Sequence, residues 1–156
     1  MKKVLYVFLI SCISLSIISC AKKDSTSSTT STETTSSVSY VSVGTNGTIL
    51  TSSDNGTTWT SRTSGTSNGL QRVIYANSTF VTVGDSGTIL TSSDGISWTS
   101  RTSGTTKTLY GITYGNSTFV TVGNSGTILT SSDNGTTWSS RTSGTTEYLF
   151  GVAYKE

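Results

Sequence analysis

The chain has no proline and no histidine, and its two cysteines both lie within the first twenty residues. Without histidine the commonest general acid/base and metal ligand is missing. Nucleophilic sites of the Ser/His/Asp or Cys/His kind are excluded with it. Charge is sparse, at 12% of residues, with ten basic against eight acidic groups. Setting aside Lys2 and Lys3, which sit in a targeting segment, leaves eight of each sign. No basic patch therefore points to nucleic acid. After residue 20 no stretch carries helical apolar periodicity. The bulk comes from Val, Thr, Tyr, Phe and Trp, which favour strands.

The first twenty residues read as an address. Met1-Lys2-Lys3 is a short positive start, and Val4 to Ser19 an apolar run of about 16 residues, too short to span a bilayer. The run ends in Ile17-Ile18-Ser19-Cys20, which resembles the bacterial lipobox. That resemblance implies a signal peptide over 1–19 and diacylglycerol on the Cys20 thiol. Leu9-Ile10-Ser11-Cys12 fits the same four-residue pattern, but too short an apolar run precedes it. With Cys12 removed and Cys20 acylated, no thiol is left for disulfide, metal or nucleophilic chemistry. The expected location is the cell envelope, and Ala21 resembles an outer-membrane or surface lipoprotein rather than one kept at the inner membrane. Residues 20–37 then form a lipidated, Ser/Thr-rich tether that has too little apolar surface to fold.

From Val38 the chain repeats itself. Gly-Thr-Ile-Leu-Thr-Ser-Ser-Asp occurs identically at 47–54, 87–94 and 126–133. Ser-Arg-Thr-Ser-Gly-Thr recurs at 61–66, 100–105 and 140–145, and Asn-Ser-Thr-Phe-Val-Thr-Val-Gly at 77–84 and 116–123. The tryptophans Trp59, Trp98 and Trp138 keep the same spacing of about 40 residues. Periods of that length mean solenoids or propeller blades. Each unit divides into four short strands separated by Gly, Asn, Asp and Ser turns. The expected strands are Tyr40–Val43, Thr48–Thr51, Leu70–Tyr75, Thr79–Val83, Thr88–Thr91, Leu109–Tyr114, Thr118–Val122, Thr127–Thr130 and Leu149–Tyr154, with a further strand starting at each Trp. Four antiparallel strands per unit is the blade of a β-propeller. Residues 38–156 are thus expected to be all-β, three four-stranded blades making an incomplete ring as a single chain.

Ser52, Asp54, Gly56, Thr58 and Trp59 fit the pattern S-x-D-x-G-x-T-W, and Ser131, Asp133, Gly135, Thr137 and Trp138 match it position by position. Ser92, Asp94, Gly95 and Trp98 form a shorter copy that lacks the residue between Asp and Gly. This resembles the Asp box (the BNR repeat of sialidases), and the wider string resembles repeats of the photosystem II assembly-factor type. The residue types make physical sense. The Gly permits positive φ, the carboxylate accepts N–H bonds across the turn, and the Trp packs between sheets. In the shortened copy the turn must adopt another geometry. The resemblance implies a structural role for the boxes, away from any ligand face. Each box brings one carboxylate, too few for a Ca²⁺ site, so no metal or cofactor is expected.

Arg62, Arg101 and Arg141 invite comparison with the three arginines of sialidases. They occupy one repeated position and were copied with the blade. Outside the boxes the repeats hold as acids only Asp85, Glu147 and Glu156, and glycoside hydrolysis needs two carboxylates across one sugar. The reading favoured is a non-catalytic binding or assembly-scaffold lipoprotein with a protein or glycan ligand. The alternatives are a sialidase-like carbohydrate-active protein and a fragment of a larger propeller. The loops differ between copies at Asn68, Asp85, Lys107, Glu147 and Tyr148, which mark a candidate binding face. Tyr110 and Phe150 are expected to pack rather than to stack on a ligand. Three blades cannot turn a full circle without strain, so a homodimer closing a six-bladed ring is expected.

Overall fold

The computed structural model describes residues 37–156. The expected signal peptide, Cys20 and the tether up to residue 36 lie outside the described residues. Beyond them the chain is all-β, with eleven short strands and no α-helix. Blade I holds β1 (Tyr40–Val43), β2 (Ile49–Ser52) and β3 (Thr60–Arg62). Blade II holds β4 (Leu70–Ala76), β5 (Thr79–Gly84), β6 (Ile89–Ser92) and β7 (Thr99–Arg101). Blade III holds β8 (Leu109–Gly115), β9 (Thr118–Gly123), β10 (Ile128–Ser131) and β11 (Ser139–Arg141). Within each blade consecutive strands are antiparallel neighbours. The repeats keep one register: Phe80 faces Ser92 as Tyr40 faces Ser52 and Phe119 faces Ser131.

The turns explain the residues found in them. Asn77-Ser78 and Asn116-Ser117 join β4 to β5 and β8 to β9, and all four have positive φ, as a two-residue type I′ hairpin requires. Each blade's next turn, at 45–47, 85–87 and 124–126, ends on a glycine in the left-handed region. A Cβ on Gly87, at φ +71°, would fall on the Thr105 carbonyl and the Ser103 hydroxyl. Only glycine meets both demands.

Leu149–Tyr154, expected as a strand, has no ladder among the described residues. It is nevertheless in place for one. Leu149 N donates to Gly123 O at 3.0 Å, just as Leu70 N donates to Gly44 O at 2.9 Å where β4 begins. The segment starts where the inner strand of a following blade would start. Among the described residues blade I has three strands and no inner one, and the ring they form is open.

The core lies between blades, in two clusters. Ile49 of blade I meets Leu70 and Leu90 of blade II, with Val41, Val43 and Trp98 packed against them. Val81, Val83 and Ile89 of blade II meet Leu109, Ile112, Phe119 and Leu129 of blade III, with Trp138 beside them. Each fully buried aliphatic or Phe side chain contributes about 1.5–3 kcal/mol. One expectation is corrected here. Trp98 and Trp138 pack against the blade before their own, but Trp59 is 44% exposed. Among the described residues its own blade is the first, and no earlier blade lies against it.

Candidate binding site

In the first Ser-x-Asp turn, Ser52 Oγ donates to Asp54 Oδ1 at 2.7 Å and accepts from Gly56 N at 2.9 Å. Thr58 N donates to Asp54 Oδ1 at 2.9 Å and Thr58 Oγ1 to Asp54 Oδ2 at 2.6 Å. Trp59 Nε1 donates to Gly56 O at 3.1 Å, pinning the ring over the turn. Asp133 repeats the pattern with Ser131, Thr137 and Trp138. The shortened copy keeps its carboxylate contacts. Asp94 Oδ1 accepts from Ile96 N and Ser97 N, both at 2.8 Å, and Ser92 Oγ accepts from Gly95 N at 2.8 Å. Dropping one residue replaces the Thr hydroxyl with a second backbone donor.

These bonds favour the ionised form. The Thr58 hydroxyl, then the Thr58 N–H and the Ser52 hydroxyl, lower the Asp54 pKa from 3.8 to about 2. The Thr137 hydroxyl, its N–H and the Ser131 hydroxyl do the same for Asp133, also to about 2. Asp94 is lowered too, chiefly by the N–H groups of Ser97 and Ile96. Depressed carboxylates contribute stability above the unfolded pKa and lose it as pH falls through the folded value. Melting temperature is therefore expected to stay level from pH 7 to 5 and to fall between about pH 4 and pH 2. Thermal melts of Asp54→Asn/Asp133→Asn beside the parent check this, since the double variant should show a shallower acid limb. Superimposable acid limbs would mean that the turns do not hold these carboxylates.

The three arginines do not converge. Arg62, Arg101 and Arg141 each donate through Nε to a Thr of the neighbouring strand in the same blade, Thr51, Thr91 and Thr130, at 2.8–2.9 Å. They are three copies of one contact in three sheets, not one carboxylate clamp.

The candidate loop residues lie at one end of the blades, where the 45–47, 85–87 and 124–126 turns rest on the loops that follow β3, β7 and β11. Asn68 and Asp85 come together around blade II. Asn68 Nδ2 donates to Thr88 Oγ1 at 2.8 Å, Thr88 Oγ1 donates to Asp85 O at 2.7 Å, and Gln71 Nε2 donates to the Asp85 carboxylate at 2.9 Å. Lys107 and Glu147 hold the matching position on the next two loops and are exposed. Tyr148, also exposed, stacks on Tyr110 at 6.4 Å, and Phe150 closes on Tyr110 at 5.2 Å. Tyr110 and Phe150 lie against each other, with Phe150 64% exposed. The five residues are strung along one rim rather than gathered in one pocket. A groove of about 930 Å³ opens between Ser103-Gly104-Thr105 and Arg141-Thr142-Ser143, and none of the five lines it.

Residue-by-residue reading missed two contacts. The Ser52, Ser92 and Ser131 hydroxyls are the hubs of their turns, a role that their buried position explains. Asn77 of blade II donates to Asn134 of blade III at 2.5 Å. The signal for that pair was present: the shortened box of blade II has no Asn at this place, and the blade I turn opposite has Ser37 where blade II has Asn77.

A family model described as the DUF6242 beta propeller domain matches residues 19–150. No curated protein matches the chain. Among solved structures the chain is similar to "YCF48 bound to D1 peptide", at 25% identity and a TM-score of 0.56. The likeness covers 64% of this chain and 35% of that one, so the chain spans about a third of that protein's length. The family match takes in every strand from β1 to β11, and the chain belongs to the DUF6242 β-propeller family.

Proposed function

We propose that the chain is a non-catalytic, protein-binding scaffold of the bacterial envelope, built from Asp-box blades and held at the membrane by lipid on Cys20. One observation carries the non-catalytic part. The carboxylates that recur at blade spacing, Asp54, Asp94 and Asp133, are each consumed by hydrogen bonds inside their own turns. A group so engaged, with its pKa pushed down, is a poor acid or base near neutrality. The similarity to a propeller solved with a bound peptide supports a protein ligand over a glycan. The rim bearing Asn68, Asp85, Lys107, Glu147 and Tyr148 is where such a ligand has unlike side chains to read. No cofactor enters this reading.

The acid and arginine chemistry of the sialidase-like alternative is not assembled among the described residues, because each Arg serves its own blade. The purified protein is expected to leave fluorogenic glycosides unhydrolysed, and turnover above the buffer blank would reverse the assignment. The anchor has a separate test. Cys20→Ala should leave an unlipidated precursor absent from the detergent phase of a Triton X-114 partition, whereas Cys12→Ala should partition like the parent. The opposite result would move the anchor to Cys12. Two or three acyl chains give stable attachment, since each buried CH₂ contributes roughly 0.8 kcal/mol. The working form in this proposal is two chains completing one six-bladed ring.

A further inference from the structure

The described residues carry two unfilled faces. The leading face of blade I shows Tyr40, 50% exposed, and Trp59, 44% exposed, beside the Asp54–Gly56 turn. Their counterparts inside the chain are better covered: Phe119 is fully buried, Phe80 is half-buried, and Trp98 and Trp138, also half-buried, pack against the clusters between blades. At the other end, Val120 and Thr130 of blade III are half-buried, where the equivalent Val81 and Thr91 of blade II are buried beneath the Gly135 turn. Past them lies the unpaired segment with Tyr154, 49% exposed.

We infer that these faces are the two halves of one interface, that its occupant is a second copy of this chain, and that residues 149–154 supply the inner strand missing from that copy's blade I. This rests on the ring-closing reading above and adds its contacts and register. Every contact required is already made within the chain. Tyr75 faces Phe80 across β4 and β5 with ring centroids 4.5 Å apart, and Tyr114 faces Phe119 at 4.6 Å. In the same register Tyr154 meets the Tyr40 of the second copy. Both blades II and III start their ladder with Leu opposite Gly, Leu70 with Gly84 and Leu109 with Gly123, then pass a bulge. Leu149 falls opposite the second copy's Gly44 by the same rule.

The asparagines give an independent match. Asn77 and Asn134 bond where blade II meets blade III. Where blade I meets blade II, both partners are missing, since Ser37 stands at one place and the other is deleted. The two remaining copies, Asn116 on the trailing face and Asn55 on the leading face, are exposed, and their side-chain amides make no hydrogen bond among the described residues. Docked head to tail, Asn116 of one copy reaches Asn55 of the other as Asn77 reaches Asn134. Two copies make six blades, within the usual range of 4–8, whereas three would exceed it.

The test uses the full chain with Cys12 and Cys20 changed to Ser, in mild detergent, so that introduced thiols are the only ones. Facing residues of antiparallel strands have Cβ atoms about 4.5–5.5 Å apart, close to disulfide geometry. Tyr40→Cys and Tyr154→Cys chains, mixed and oxidised, should form a disulfide-linked pair. Either variant alone should stay single. A chain carrying both should give two-chain species and nothing larger. Cross-linking by each variant alone, no cross-link in the mixture, or a ladder of higher multiples would overturn the interface. Light scattering on the parent separates this from the ring reading. A two-chain mass without the Tyr40–Tyr154 link leaves the ring and removes this interface, while a one-chain mass removes both. Trp59→Ala, which leaves the chain's internal clusters intact, should weaken the dimer roughly tenfold or more, as loss of a central aromatic anchor does. An unchanged dissociation constant would also overturn the interface.

Discussion

Replacing Trp138 by Ala is expected to destabilise the folded chain by about 3 kcal/mol, the low end of the range for truncating a packed Trp, because the ring is only partly buried. The loss has two sources. The ring packs against the cluster of Val81, Val83, Ile89 and Phe119, and its Nε1 holds the Gly135 carbonyl at 2.9 Å. Removing it opens the seam between blades II and III. Trp59→Ala removes the same bond from a blade that has no neighbour on that side among the described residues, and should cost within about 1 kcal/mol in the dissociated chain. Chemical denaturation at a concentration well below dimer formation compares the two. Equal losses would mean that the first blade is covered in the single chain, against the open ring. Asp133→Asn should cost less than Trp138→Ala, because the amide oxygen still accepts the Thr137 N–H.

Gly87→Ala is expected to be of similar size, roughly 2–5 kcal/mol, for a different reason. The backbone at φ +71° costs an L-residue about 1–2 kcal/mol. The new methyl would also strike the Thr105 carbonyl, and forced overpacking typically adds 1–3 kcal/mol. Gly104→Ala is the matched control. Its φ is +74° but nothing lies within reach of a Cβ, so only the backbone cost remains. A melting temperature for Gly87→Ala no lower than for Gly104→Ala would show that the turn can withdraw from the loop beneath it.

Strand positions were legible because identical strings fixed them three times over. Tyr40–Val43 was found to the residue, and β2, β6 and β10 begin one residue later than expected. The Ser-x-Asp turns were legible as a type, since Ser, Asp and Gly at close spacing let the carboxylate close a tight turn, though the shortened copy does so with different donors. Two things were not. The exposure of Trp59 depends on what lies before blade I, and a repeat looks the same whether or not a neighbour covers it. Leu149–Tyr154 has the composition of β8, yet a strand exists only through its partner, and none is present among the described residues. The rim residues are a third case. Differences between copies locate them, but geometry alone gathers only Asn68 and Asp85, through Thr88 and Gln71.

The first blade, one strand short among the described residues, has a bearing on how such proteins can change length. In the ring inferred above, the seam between blades and the seam between copies use the same surfaces, so adding or deleting one forty-residue unit leaves both outer faces as they were. A four-unit descendant would inherit a working joint on the day it arose, and only the circumference of the assembly would have to adjust. The shortened turn of blade II, facing Ser37 rather than an asparagine, works against that freedom, because it marks one seam as unlike the others. Units inserted beside it would meet a mismatched neighbour, whereas units inserted beside the Asn77–Asn134 seam would not.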